Sequence, residues 1–225
     1  MVFNHNILIS KDLSSHAAKV LGTNLNETFT YFIENKEGTI LISQFLYASS
    51  ISSWYETNDP IEINSIGHSS DDIQQIRNLF NKLDPIIDID FEEMSNNNGS
   101  MIDFYSIDYS SKFENNQTVG QLITQENNSG GWFDLFWKDT NNKIKTSSLD
   151  FNTIAHELGH ALGLSHPNND PTNKQWSSDQ TVMSYNRGID DWSISFTKND
   201  LNALKSIWGR ENDDGNINLE KESHT

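Results

Sequence analysis

The sequence predicts a single domain of the mixed α/β (α+β) class, with an upper lobe to about residue 162 and a smaller, irregular lower lobe over about 163–210. Three helices with capping signals are separated by strand-like runs, most of which fall before residue 140. The stretch 167–195 then lacks a regular pattern before a closing helix. A polar tail is expected over 211–225. A chain of 225 residues can bury a core without disulfides or a structural metal.

Three helices are predicted because a Ser or Thr stands three residues before an Asp at each start, the pattern of a capping box. The pairs are Ser69 with Asp72, Ser147 with Asp150, and Thr197 with Asp200. Apolar residues then recur at helical spacing in each segment. Asp84-Pro85 ends the first helix, and Gly209 is placed to end the third.

Strands are predicted in short runs rich in aromatic and β-branched residues, separated by turns of Asn, Ser and Gly. The runs are Phe29–Ile33, Thr39–Tyr47, Ile86–Phe91, Met101–Ser106 and Trp132–Trp137. Helices and strands therefore interleave up to the second helix, which is why the upper lobe is assigned to the α/β class.

The composition excludes several classes of function. A formal net charge of −17 would repel nucleic acid and an anionic membrane surface. No apolar run approaches the length of a membrane span. The absence of cysteine excludes disulfides, a thiolate zinc site and a catalytic thiol. The first ten residues lack the basic start of a secretory signal peptide, so the composition leaves the compartment open.

Three of the seven histidines fall within eleven residues, on and just after the second predicted helix. His156 and His160 are four residues apart, so their imidazoles project from one helical face and can occupy two corners of a tetrahedral zinc site. Glu157 is adjacent to His156, near the metal without ligating it. The alternative is an amphipathic helix with incidental histidines, because short motifs of this kind have false positives.

Gly163 makes a third ligand geometrically possible. A helix continued to His166 would carry that residue about 9 Å further along the axis than His160, too far to share an ion. Glycine can adopt a left-handed conformation, end the helix and turn the chain back, so that His166 supplies the third nitrogen. This spacing disfavours the incidental alternative. The isolated histidines, His5, His16, His68 and His224, are expected to be surface or hydrogen-bonded residues.

The segment from His156 to His166 resembles the elongated zinc motif of the metzincins, H-E-x-x-H-x-x-G-x-x-H. Thr181–Tyr185, which follows downstream, resembles their methionine turn, in which Met183 would pack beneath the metal. A methionine in a turn is otherwise more often core filler.

Finer features resemble one metzincin branch, the serralysins. They are Pro167 directly after the third histidine, the strings Gly159–Pro167 and Val182–Tyr185, and the closing segment Phe196–Gly209. This resemblance implies a bacterial secreted zinc metalloendopeptidase with a twisted, mostly parallel sheet, two long helices in the upper lobe and a C-terminal helix in the lower lobe. The sequence differs from the serralysins in one respect, because it has none of their glycine-rich calcium-binding repeats. We therefore read Asp213–Asn216 as a solvated tail and leave the export route and any calcium requirement open.

The resemblance also implies roles for the site residues. His156, His160 and His166 would bind Zn²⁺, with Glu157 as the general base. Tyr185 would stabilise the oxyanion and could also ligate the zinc in the resting enzyme. The expected substrate is a protein or peptide, and the expected state is a monomer.

Several alternatives stay open at this stage. The chain could be a zinc-containing binding or toxin-like module with vestigial activity, or a processing peptidase restricted to one target. The run Gly130–Trp137 could be the edge strand that pairs with an extended substrate, or a core strand. The sequence does not determine the cleavage specificity, or whether the first twenty residues are a removable prosegment.

Overall fold

The computed structural model of the protein describes residues 3–20, 27–113, 115, 117–140 and 147–212. The predicted tail lies outside the described residues from 213 onward, and so do Asp213–Asn216 and His224. Within the described ranges, no helix combines the length and the apolar character needed to cross a membrane.

Four α-helices and two short 3₁₀ turns form the helical part of the described chain. The helices are α1 (Lys11–Val20), α2 (Ser70–Leu83), α3 (Ser148–Ala161) and α4 (Lys198–Trp208), and the 3₁₀ turns are His5–Leu8 and Pro167–Asn169. The strands are β1 (Thr28–Ile33), β2 (Glu37–Ile42), β3 (Phe45–Ala48), β4 (Ser53–Glu56), β5 (Ile61–Ile66), β6 (Asp90–Glu93), β7 (Ile102–Ser110), β8 (Gly120–Asn127) and β9 (Gly130–Lys138).

The main sheet combines four parallel strands with antiparallel strands on part of its margin. Strands β6, β1, β7 and β9 lie side by side in that order and are parallel. β8 is antiparallel to β9 on one margin, while β5 pairs antiparallel with the far end of β7 and carries β2. Strands β3 and β4 form a separate hairpin. This architecture confirms the predicted α/β class and the parallel character of the central sheet.

All three predicted helix starts are confirmed as capping boxes. In α2, α3 and α4 the cap hydroxyl accepts a hydrogen bond from the backbone N–H of the Asp three residues later, and that Asp accepts one from the cap N–H. These reciprocal bonds satisfy backbone donors that the helix itself leaves unpaired. The local sequence alone therefore sets where the zinc-motif helix, α3, begins.

The core is divided between the two faces of the sheet. Successive residues of a strand point to opposite faces. Accordingly Phe104 and Leu135 pack in the larger cluster with α2, α3 and α4, while Tyr105 and Phe136 pack in a smaller cluster on the opposite face. The larger cluster includes residues of α3 and Met183, so the helix that carries the zinc motif rests on the main core.

Several strand boundaries differ from the predictions. The run Thr39–Tyr47 is two strands, β2 and β3, in different sheets. Strand β6 begins only at Asp90, because Ile86 lies in a turn and Ile87 forms an isolated bridge with Arg210 instead of joining the sheet. Helix α1 and strands β4, β5 and β8 were missed. Their sequences are short or polar, so local pattern does not distinguish them from loops. The three strands form by pairing, β4 with β3, β5 with β2 and β7, and β8 with β9.

The interpretation of Gly130–Trp137 as a substrate-pairing edge strand is wrong. This run lies in β9, which has β7 on one side and β8 on the other, so its backbone is already paired. The core-strand alternative is the correct one. The margin of the sheet on this side is β8, whose mixed sequence gave no strand signal.

Candidate active site

Helix α3 and the turn after it bring the three histidines of the motif together. His156 and His160 lie one helical turn apart, and α3 ends at Ala161. Gly163 then has φ +91°, the left-handed region predicted for it. The chain turns back after Gly163, and among the described residues these histidines are the one group of His, Cys, Asp or Glu close enough to hold a metal ion.

The three imidazoles converge on one point. Nε2 of His166 lies 3.2 Å from Nε2 of His156 and 3.2 Å from Nε2 of His160. The Nδ1 atoms of His156 and His160 each lie 2.8 Å from a backbone carbonyl oxygen, of Val182 and Leu164 respectively. A carbonyl only accepts hydrogen bonds, so Nδ1 carries the proton and Nε2 presents its lone pair to the common point.

This donor set fits zinc. Lone pairs that face one another at such distances repel unless a cation lies between them. Zinc bound tetrahedrally at about 2.0–2.1 Å holds its nitrogen ligands about 3.3 Å apart, close to the observed separations. The carbonyl contacts to Nδ1 are those that orient metal-binding histidines in general.

Burial keeps the imidazoles neutral. It lowers the pKa of His156 well below the usual value, and the neighbouring histidines lower it further. Burial also lowers the pKa of His160. The pKa of His166 falls to about 4, first through burial and then through the proximity of His160. At neutral pH the three rings are thus in the uncharged state in which imidazole binds a metal.

The segment after the third histidine places Met183 directly beneath α3. Met183 is fully buried, and a Cβ added to Gly159 would lie 2.6 Å from its sulfur. Asp200, at the start of α4, holds this turn: it accepts hydrogen bonds from the Thr181 hydroxyl and, at 3.1 Å, from the Val182 N–H. The same turn supplies the carbonyl that orients His156, so α4 supports that histidine indirectly.

Glu157 lies on the side of α3 that faces strand β8. Its side chain is 8% exposed, and burial raises its pKa to about 8, while a backbone hydrogen bond with Leu122 acts in the opposite direction. A cation held by the adjacent imidazoles would lower this pKa. Gly120 leaves the space that the carboxylate occupies, because a Cβ there would lie 2.6 Å from Oε1 of Glu157.

Tyr185 lies beside the histidine cluster. Its ring centroid is 5.0 Å from that of His166 and 5.3 Å from that of His156. Burial and the proximity of Glu157 raise the pKa of its phenol, which favours the protonated, hydrogen-bond-donating form. The side chain is 54% exposed, so it borders the site from the solvent side.

A cavity of about 400 Å³ opens beside His156 and Glu157. Its walls come from α3, from the residues just before β8, and from the segment between His166 and α4, which contributes Tyr185 and Trp192. Among the described residues that line it, Glu157 is the one carboxylate, and there is no Lys or Arg.

The isolated histidines that the structure describes do not join the cluster, as predicted. His68 has both ring nitrogens engaged: Nδ1 is 2.7 Å from the Glu34 carbonyl, and Nε2 is 3.1 Å from the Trp137 indole N–H. His5 and His16 lie in the N-terminal segment, both partly exposed.

A family model described as metallopeptidase family M12 matches residues 16–200. The chain belongs to metallopeptidase family M12. A search of curated proteins finds no match to it. Membership of M12, together with the histidine cluster, identifies a zinc peptidase in general terms, one whose substrates are proteins or peptides.

Sequence reasoning missed several residues of this M12 site. Asp200 was interpreted only as part of a helix cap, although it also holds the methionine turn. The carbonyls of Val182 and Leu164 carry no side-chain signal, so no motif could have identified them. Gly120 could have been suspected only if β8 had been predicted as a neighbour of α3.

Proposed function

We propose that this M12 chain is a zinc-dependent endopeptidase in which His156, His160 and His166 hold the metal and Glu157 is the general base. The observation that carries the proposal is the convergence of three neutral imidazole Nε2 atoms, at 3.2 Å from His166 to each of the other two, beside a buried carboxylate. Three imidazoles leave one position open, the arrangement of a catalytic rather than a structural zinc site.

Each protein group has a distinct task. Zinc, when bound, supplies a Lewis acid that acidifies water and polarises the scissile carbonyl. Glu157 takes the water proton and passes it to the departing amine, for which its position next to His156 on α3 is suitable. Tyr185, protonated beside the cluster, donates a hydrogen bond to the developing oxyanion. As in the serralysins that the motif resembles, its phenol could also ligate the zinc in the resting enzyme.

The substrate is an extended segment of polypeptide. Strand β8 forms the sheet margin nearest to Glu157, through Gly120 and Leu122, and a sheet margin can take up an added strand. The cavity beside Glu157 then receives a neighbouring side chain. Because it has no basic residue among the described lining residues and its one carboxylate is the proposed base, it suits an uncharged side chain.

We further propose that the catalytic site of this M12 chain is serralysin-like, and that the chain is a secreted, monomeric enzyme divided into the upper and lower lobes predicted from the sequence. The strings Gly159–Pro167 and Val182–Tyr185 support the serralysin-like site, and the charge of −17 argues against nucleic-acid and anionic membrane partners.

The test is Glu157→Gln in the full-length protein, with zinc content and cleavage of a peptide library as the readouts. We expect zinc to stay bound and cleavage to fall by about 10²- to 10⁴-fold, the contribution of a positioned base. Tyr185→Phe should also retain zinc and lose less activity. Near-normal cleavage by Glu157→Gln would exclude Glu157 as the base.

The same library separates the alternatives. Cleavage of many sequences, abolished by a chelator, supports a general endopeptidase. Cleavage of only a narrow set of related peptide sequences indicates a dedicated processing enzyme. Zinc binding without any cleavage indicates a binding or toxin-like module.

A further inference from the structure

We propose that residues 3–20, here called the N-terminal strap, are a positioning element of the zinc centre and stay on the active enzyme. The strap consists of the 3₁₀ turn His5–Leu8, a short extended link and α1. It contains no zinc ligand, and it acts through the segment that leads into His166. This inference rests on the zinc-binding part of the proposed function.

The strap is hydrogen-bonded to the segment between the second and third histidines. The Ser165 N–H donates to the Leu8 carbonyl at 2.8 Å, and Ile9 forms an antiparallel bridge with Leu164. Leu8 and Leu164 are both fully buried in the main core. The chain leading into His166 is therefore held as if it were a short strand paired with the strap.

This pairing fixes two of the three ligands. The Leu164 carbonyl lies 2.8 Å from Nδ1 of His160 and orients that ring. His166 follows Ser165 directly, so the hydrogen bond to Leu8 sets where its imidazole begins. Residues that orient metal ligands without touching the metal contribute about 10- to 100-fold to metal affinity.

Two further contacts join the strap to the site. Helix α1 packs over the glycine turn, where a Cβ added to Gly163 would lie 3.0 Å from Cα of Ser14. Phe3 contacts Trp176 edge-to-face, with ring centroids 4.8 Å apart, and so reaches the segment between His166 and the methionine turn. A removable prosegment would be expected to cover the site. This segment instead contacts the chain on both sides of His166, and none of its described residues lines the cavity beside Glu157. The residues that make these contacts precede the range matched by the family model, which begins at residue 16.

The test compares two leucines of the same core in the full-length chain. Leu8 and Leu83 are both fully buried, but Leu83 ends α2, which contributes no residue to the histidine cluster. Leu8→Ala and Leu83→Ala should each lower the free energy of unfolding. After metal removal, zinc affinity is measured by competition with a chromophoric chelator, and the absorption spectrum of the Co²⁺-substituted protein reports ligand geometry.

We expect Leu8→Ala to raise the zinc dissociation constant about 10- to 100-fold and to alter the Co²⁺ spectrum. Leu83→Ala should change neither the zinc dissociation constant nor the Co²⁺ spectrum. Leu8→Met, which conserves side-chain volume, should give wild-type values of both. A chain lacking residues 2–9 should bind zinc as weakly as Leu8→Ala or more weakly.

The inference is overturned if the two alanine variants weaken zinc binding equally, or if the shortened chain binds zinc as the full-length protein does. A full-length protein that binds zinc but cleaves no peptide would contradict the proposed peptidase activity instead. In that case the zinc measurements still decide the role of the strap.

Discussion

The position of Gly120, next to the Glu157 carboxylate, has no room for an added methyl group. A Cβ on Gly120 would lie 2.6 Å from Oε1 of Glu157 and 2.5 Å from Cγ2 of Thr153, well inside van der Waals contact. Both neighbours belong to α3, whose backbone is fixed by its capping box and by the core. The carboxylate must therefore move if Gly120 gains a side chain.

Gly120→Ala is accordingly expected to lower peptidase activity about 100-fold, the cost of a small misplacement of a catalytic group, while zinc affinity stays near that of the wild type. Steady-state kinetics and zinc titration check this pair of outcomes. Thr124→Ala, at an exposed position on the same strand, is the control and should leave both unchanged. Equal activity of the two variants would mean that Glu157 adapts without loss.

At the scale of elements, the junction of α3 with α1 depends on Gly163. Its φ of +91° strains any residue with a side chain, and Cα of Ser14 lies 3.0 Å from where a Cβ would be. Gly38 provides a matched comparison, because its φ is +102° but no atom lies within 4 Å of its Cβ position.

Gly38→Ala therefore measures conformational strain alone, expected at about 1–2 kcal/mol of unfolding free energy. Gly163→Ala should lower the free energy of unfolding by more than Gly38→Ala does. It should also weaken zinc binding, because α1 and the chain leading to His166 must separate to make room for the methyl group. Urea unfolding and zinc titration of both variants provide the measurement. Equal losses of stability with unchanged zinc affinity would show that α1 yields without disturbing the site.

Elements with local signals were predictable, and those that depend on distant partners were not. The starts of α2, α3 and α4 follow from Ser or Thr three residues before Asp, a bond made within one turn. Strand β8 has no such signal, because only its pairing with β9 makes it a strand. The same division holds in the site. The three histidines and Gly163 could be predicted from the sequence motif, whereas the backbone carbonyls that orient the rings are brought to them only by the fold.

At the scale of the whole molecule, two buried aspartates make stability depend on pH. Asp103 and Asp134 are cross-strand neighbours on β7 and β9, exposed by 3% and 1%. Burial raises the pKa of Asp103 to about 8, with Asp134 and Glu34 raising it further and Ser100 opposing. Burial raises the pKa of Asp134 to about 7 against hydrogen bonds from Gln125 and Trp132.

Both carboxyls bind protons more tightly in the folded state than in the unfolded chain, where the pKa is about 3.9. Their contribution to stability is therefore full below about pH 4 and is lost as pH rises through about 7–8. We expect Asp103→Asn and Asp134→Asn to flatten the decline of unfolding free energy between these limits. Urea unfolding at several pH values measures how the free energy of unfolding changes with pH. Asp108→Asn, at an exposed position of β7, is the control. An unchanged slope in both variants would contradict the assignment.

The bridge between Ile9 and Leu164 joins residues that are far apart along the chain, so we expect it to form late during synthesis. The strap is translated before the segment that contains Leu164, which is made only after the strands β1–β9 and α3 have been translated. Contacts so distant along the chain form late, because closing the intervening loop costs entropy before the contact can form. On the proposed role of the strap, the third histidine gains its support only when translation is well past residue 166. A nascent chain should thus carry an incomplete hydrolytic centre while the ribosome and its neighbours are within reach.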